Sequence, residues 1–399
     1  MRTASSWRAS DIVAAGSVSR SVSSGYYLGL LSGTSADGID AAIVDFSGRS
    51  PRVIQALTQP LDVELRQRVL ALMQRGAFAQ SGASFNWPAI NALDQRLGKH
   101  FAKAALSCIQ QAGLEPGAIC AIGLHGQTVF HQPLTPNPGS WQLGSTFVLA
   151  QATGIPVVSQ FRQMDMALGG QGAPLAPVLH QALFARNDRD VAVVNLGGIA
   201  NVSWLGRGGR IVGFDTGPAN CLLDEWAQQH LGRQYDDGGR WAASGHVIPD
   251  LLRTLSQDDY FRQPAPKSTG RERFNQHWLQ QHLQRLSSAP RPEDVQATLL
   301  ELTAWSVAQA IDNLRQTPAK PLDVIVCGGG AHNQFLLDRL SCLLNTIVVS
   351  SARRGVDPDY LEAVLFAWLA KQRWQGQQID LRAITGSSRP HLAGIIVRP

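Results

Sequence analysis

Four short runs of this chain set glycines beside hydroxyls and carboxylates in the way that phosphate binding requires. The first, GTSADGID (residues 33–40), places two glycines, two hydroxyls and two carboxylates in eight residues. Gly33 and Gly38 let the main chain approach an anion, Thr34 and Ser35 can donate hydrogen bonds, and a carboxylate, Asp37 being the candidate, can hold magnesium directly or through water. A polar hairpin turn is the plain alternative. The second run, NLGGIAN (residues 195–201), offers Asn195, Gly197 and Gly198 as an opposing clamp, weak alone and strong when paired with the first. In the third, CGGGAHN (residues 327–333), Gly328, Gly329 and Gly330 lie between an apolar run and a helical one, where a flat nucleoside can rest against backbone. The fourth, GFDTGPAN (residues 213–220), puts Asp215 and Gly217 ahead of a helix whose amino end can face an anion. Asp215 is either on the ligand side, where it competes with Asp37 for magnesium, or a cap on that helix.

A second kind of chemistry is carried by FRQMDMALGGQGAPLAP (residues 161–177). Here Asp165 falls between an apolar strand and a Gly/Gln/Pro loop that cannot continue a helix. A carboxylate so placed is a candidate general base, taking a proton from an attacking hydroxyl or water. Its plain alternative is pairing with Arg162 or capping the loop. HGQT (residues 125–128) also follows an apolar strand, so His125 and Gln127, with Arg162, are the candidate contacts to a polar acceptor.

These runs need elements to hold them. YYLGLLS, GIDAAIVDF and RVIQALTQ read as three strands with short connections, and helical spacing follows over 63–75 and 90–111. Residues 119–126 form a buried strand, followed by a helix at 146–153 and a strand at 155–159. The same order restarts with strands at 191–198, 199–206 and 210–217, then a helix near 300–314, a strand from 322 and a helix at 334–343. Two repeats of one pattern predict two α/β lobes with mixed five-stranded sheets and a cleft between them. The expected division is a disordered tail over 1–25, a first lobe over 26–188 and a second over 189–399, whose last helix crosses back to the first.

Bulk composition agrees with a globular protein. Of 399 residues, 44% are hydrophobic and 16% charged, and no apolar run approaches the roughly 20 residues of a membrane helix. The net charge is +5, with Arg and Lys scattered rather than clustered, which gives no footprint for nucleic acid. The five cysteines form no CxxC pair, and the amino-terminal apolar stretch is too short for a signal peptide. A cytoplasmic location is therefore expected. No GxxxxGK[ST], GxGxxG, GxSxG or HExxH is present, which leaves P-loop, Rossmann, serine-hydrolase and zinc-protease chemistry unsupported.

Taken in order, SGTSADGID, GLHGQT, FRQMDMALGGQGAPL, NLGGIANV, GFDTGPAN, KSTGRE and CGGGAHN resemble the motifs of anhydro-N-acetylmuramic acid kinases, across about residues 26–362. The resemblance implies the two-lobed actin/hexokinase/Hsp70, ribonuclease H-like fold. It also implies ATP and Mg²⁺ as cofactors and anhydro-N-acetylmuramate as substrate, in peptidoglycan recycling. Water would open the 1,6-anhydro ring and the γ-phosphate would pass to O6. Carried over by motif, residues 33–40, Ala36 and Ile39 included, would bind ATP, Asp165 would activate the water, and Glu362 in DYLEAVLFAWLA would touch the sugar. A homodimer is the expected assembly. Leu31 and Ala36 depart from the Met and Leu often seen beside the first turn. An ATPase of the same superfamily without a sugar substrate is the rival reading, which Asp165 and its loop are expected to discriminate.

Overall fold

The computed structural model describes residues 25–33, 35–48, 50–78, 85–265, 267–315 and 321–399. Thr34 and residues 1–24, hence nearly all of the expected tail, lie outside the described residues.

Alternating and continuous apolar runs give strands where the pattern predicts them. β1 (Tyr26–Ser32), β2 (Gly38–Asp45) and β3 (Arg52–Pro60) form an antiparallel meander. β4 (Ala121–Gln132) lies parallel to β1, β5 (Gly139–Leu143) folds back on β4, and β6 (Val157–Ser159) runs parallel to β4. The pattern then repeats. β7 (Asp190–Leu196), β8 (Ile199–Leu205) and β9 (Ile211–Pro218) are a second meander, β10 (Leu322–Cys327) lies parallel to β7, and β11 (Val348–Ser350) parallel to β10. The second sheet has the expected five strands, ordered β11-β10-β7-β8-β9. The first has seven, because β5 and a carboxy-terminal β12 (Ile395–Val397), antiparallel to β6, join a five-stranded core.

The helix Leu361–Trp374 packs chiefly not on the sheet it follows in sequence but across β1 and β4 of the first. Two glycines allow this approach. A Cβ at Gly29 or Gly123 would overlap the main-chain oxygens of Ala363 or Phe366, so only glycine lets the helix seat directly on the strands. With the helix Ala176–Phe184 it fills a core between the sheets, in which Tyr27, Ala42 and Ala121 of the first sheet meet Val191, Val193 and Ile325 of the second. Outside this layer, the helix Trp87–Gln111 covers the far face of the first sheet through Leu93, Leu97, Phe101 and Ala105. The largely buried helix Pro292–Leu314 covers the second. Among the described residues, no helix is long and apolar enough to cross a membrane.

Candidate active site

A cavity of about 1140 Å³ opens between the sheets. The turn after β1 brings Gly33, Ser35 and Asp37 to one wall, with Asp40 at the start of β2; the β7–β8 turn brings Asn195, Gly197 and Gly198 to the other. Gly328 and Gly329, just past β10, complete that second wall. Both turns are pinned from behind. The Gln127 side-chain amide donates to the Gly33 carbonyl at 3.1 Å, and the Ala36 amide closes the turn onto the same oxygen at 3.1 Å. On the opposite wall, the Asn220 amide donates to Leu196 O at 2.9 Å. Gly328 holds a left-handed φ of 77° where a Cβ would overlap the Asn195 side chain, so β10 can end this close to β7 only with glycine there.

Gly329 and Gly330 also border a second cavity of about 480 Å³, walled by Tyr235, Asp236, Leu223, Asp224, His332 and Asn333. The triple glycine is thus a ridge between the interlobe cleft and a pocket in the second lobe. Burial pushes the Asp224 carboxyl up to about 7, with Arg271 opposing and Glu225 adding to the rise.

The carboxylates of the cleft are perturbed by enclosure and by one another. Glu362, in the first turn of the helix Leu361–Trp374, is open to cleft water yet surrounded by both walls. That enclosure raises its pKa, Asp40 raises it further, and Arg162 opposes. Asp40 is likewise raised, chiefly by burial, although the Thr58 hydroxyl donates to it at 2.6 Å; Asp37 and Asp359 add to the rise. Asp215 stands half-buried on β9 behind the second wall; it is not itself in the cleft lining, but the Thr269 amide, which is, donates to its Oδ2 at 3.0 Å, and Tyr260 donates to its carbonyl. Burial lifts its carboxyl to about 6, helped by Glu272 and opposed by that amide bond. Asp215 does not cap the following helix, because Ala219 occupies that position.

Several expectations need correction. Asp165 is not in the cleft. It is fully buried, with Oδ2 accepting from the Gly172 amide at 2.7 Å and Oδ1 from the Thr385 hydroxyl at 2.7 Å. Gly170 is pressed against it so closely that a Cβ would overlap the carboxylate. Asp165 is the post around which the GGQG loop folds. Gln127 is also fully buried and supports the first turn rather than a sugar. Ala36 and Ile39 point into the first lobe's core, and Gly217 packs against Phe261, where a Cβ would meet the ring at 2.7 Å. None of these three side positions faces the cleft. His125 stacks on Phe366 with ring centroids 4.6 Å apart and lines a different cavity, of about 520 Å³, in the first lobe. Arg162 donates to its Nε2 at 2.9 Å and to Gly172 O at 2.7 Å, so these two form a half-buried pair within the field of Glu362. Burial and Arg162 hold the imidazole well below its usual range, hence neutral. The guanidinium falls to about 10 through burial, with Glu362 and Asp165 opposing.

Sequence reasoning gave no role to the residues of KSTGRE, yet Thr269, Gly270, Arg271 and Glu272 all line the cleft. The only signal was the motif itself, since its contact with Asp215 spans 54 residues. No group of three or more His, Cys, Asp or Glu able to hold a metal occurs among the described residues.

The anhydro-N-acetylmuramic acid kinase family model matches residues 25–399. A protein of that description from Xanthomonas campestris is 47% identical over 375 residues, covering 93% of this chain and 96% of its own length. One from Aliivibrio fischeri is 43% identical over 371 residues, covering 93% and 98%. A third, from Vibrio vulnificus, is 44% identical over 371 residues, covering 93% and 97%.

Proposed function

The chain belongs to the anhydro-N-acetylmuramic acid kinase family, and from that membership we propose that it opens the 1,6-anhydro bridge of anhydro-N-acetylmuramate with water and phosphorylates O6 from ATP. One observation carries the reading. A single cleft holds both glycine turns and two carboxyls raised from their usual range, Asp40 and Glu362, with Asp215 tied to the lining through Thr269.

The triphosphate lies between the turn at Gly33 and the turn at Gly197 and Gly198, whose main chain can approach oxygens closely. Its nucleoside fits the pocket behind Gly329 and Gly330. Mg²⁺ would enter with the nucleotide, held by phosphate oxygens and one or two carboxylates, as that ion ordinarily is; Asp37 and Asp40 on the first wall suit this. Bound there, it would neutralise phosphate charge.

With Asp165 sealed in the interior, the base role falls to Asp215, half-buried behind the second wall and held by Thr269 of the cleft lining. A pKa near 6 keeps it ionised at neutral pH while leaving it able to hold a proton. Water adds to C1, giving its proton to Asp215, and the C1–O6 bond breaks with its electron pair on O6. O6 then attacks the γ-phosphorus and ADP departs with the bridging oxygen. The products are N-acetylmuramate 6-phosphate, ADP and one proton. Glu362 binds the sugar, its charged form favoured by the nearby Arg162 guanidinium.

An ATPase without a sugar substrate would not need the Glu362 carboxyl, raised from its usual range, in the cleft beside the phosphate turns. Incubating the protein with ATP, Mg²⁺ and anhydro-N-acetylmuramate should yield a phosphorylated reducing sugar and ADP in equal amounts. ADP without phosphosugar would defeat the proposal.

A further inference from the structure

We propose that Arg66 and Arg271 form a two-sided cationic clamp on the terminal phosphate of the bound triphosphate, an inference that rests on the kinase reading above. The first argument is charge. Five carboxylates line the cleft, those of Asp37, Asp40, Glu272, Asp359 and Glu362, whereas its guanidinium groups are Arg66 and Arg271. A polyphosphate entering an acidic cleft needs fixed cations aimed at it, beyond any metal ion it brings. His180, the remaining basic group on the lining, is depressed to about 3 by burial and stays neutral.

The second argument is position. Arg66, in the first turns of the helix Val63–Phe78, donates from Nε to the Ser35 carbonyl at 3.3 Å, which sets its guanidinium on the first glycine turn. On the facing wall, the Arg271 guanidinium lies 3.6 Å from the place a Gly198 side chain would occupy, on the second turn. One arginine therefore rests on each turn.

The third is availability. Arg66 makes no ion pair among the described residues, and Arg271 has only a loose approach to Glu225 at 3.8 Å with 58% of its side chain exposed. Arginines with structural duties here are held tighter, as Arg339 is to Glu301 at 2.8 Å. In phosphoryl transfer, negative charge spreads over the equatorial oxygens of the moving group, and planar guanidinium forks match those oxygens in geometry and sign. Arg271 also shares the segment 267–272 with Thr269, which holds Asp215. Engagement of phosphate and placement of the base are thus built on one loop.

Calorimetry with Mg²⁺·ADP and with the Mg²⁺ complex of the non-hydrolysable β,γ-imido triphosphate separates this role from a structural one. Arg66→Ala and Arg271→Ala should each lose about tenfold or more in affinity for the triphosphate analogue while holding ADP within about twofold. Turnover should fall by about a hundredfold or more. Arg271→Lys, which keeps the charge and loses the fork, should recover part of the triphosphate affinity. Equal losses for ADP and the analogue, or unchanged binding and turnover in folded variants, overturn the clamp. Wild-type protein that binds the analogue yet forms no phosphosugar overturns the kinase reading instead.

Discussion

The Thr385 hydroxyl donates to the Asp165 carboxylate at 2.7 Å, joining residues 220 positions apart in the buried interior of the protein. Together with the Gly172 amide, it satisfies both oxygens of the residue whose sequence context resembles a catalytic base. Asp165→Asn should therefore act on stability. Its amide can accept one of those bonds but must turn a donor toward the other, a loss of about 1–3 kcal/mol. Thermal denaturation should show a lowered midpoint for Asp165→Asn and, to a smaller extent, for Thr385→Val. Turnover per folded molecule should stay within about tenfold of wild type. A fully stable variant with activity lost by more than that would return the base role to Asp165.

The opposite behaviour is expected at Asp215. Asp215→Asn retains the Thr269 hydrogen bond but cannot accept a proton, so turnover should fall by about a hundredfold or more while ATP affinity changes little. Because the working form is the carboxylate and its pKa sits at about 6, kcat/KM for the sugar should be level above that pH. It should fall about tenfold per unit below it. Activity that persists undiminished at pH 5 would exclude Asp215 as the base.

Glycine substitutions divide by what a side chain would meet. At Gly33 the nearest atom to a Cβ is Ser35 Oγ at 3.9 Å, and at Gly198 the neighbours begin at 3.6 Å, so both sites have room for a side chain in the free protein. Gly33→Val and Gly198→Val should fold and melt normally yet bind ATP about tenfold or more weakly, about 1.4 kcal/mol, as calorimetry would register. Gly328→Val should instead lower the melting temperature, since φ is 77° and a Cβ would overlap Asn195.

Glu362→Gln should raise KM for the sugar by about tenfold or more, leaving ATP affinity within about twofold. Its position in the cleft beside the phosphate turns and within the field of Arg162 makes it an acceptor-side group. A selective loss of nucleotide affinity, read by calorimetry, would place it on the ATP side.

Without sugar, the directed water and the acceptor oxygen are both missing from the cleft. ADP release by the protein and ATP alone should then be less than about a hundredth of the sugar-dependent rate. A coupled ADP assay with and without anhydro-N-acetylmuramate measures the ratio, and comparable rates would favour the ATPase reading.

The sequence by itself determined what short-range forces determine. Strand and helix periods placed both meanders, β7 to β9 within one residue or so of their observed ends at most positions, and their repetition gave the two-lobed plan. Glycine turns were legible because runs such as those at Gly33, Gly198 and Gly328 are clusters of adjacent residues, although the neighbour that forbids a side chain at Gly328, Asn195, is distant in sequence. Tertiary structure decided which carboxylates work. Asp165 and Asp215 both stand close to glycine-bearing segments, and no local feature separates the one that accepts two buried hydrogen bonds from the one held by a residue of the cleft lining. The partners that distinguish them, Thr385 and Thr269, lie 220 and 54 residues away. Glu362 looks like an ordinary helical glutamate until Gly29 and Gly123 let its helix settle on the first sheet and swing that first turn into the cleft. Burial and field are sums over the whole surroundings of a group, and those surroundings exist only once the chain has folded.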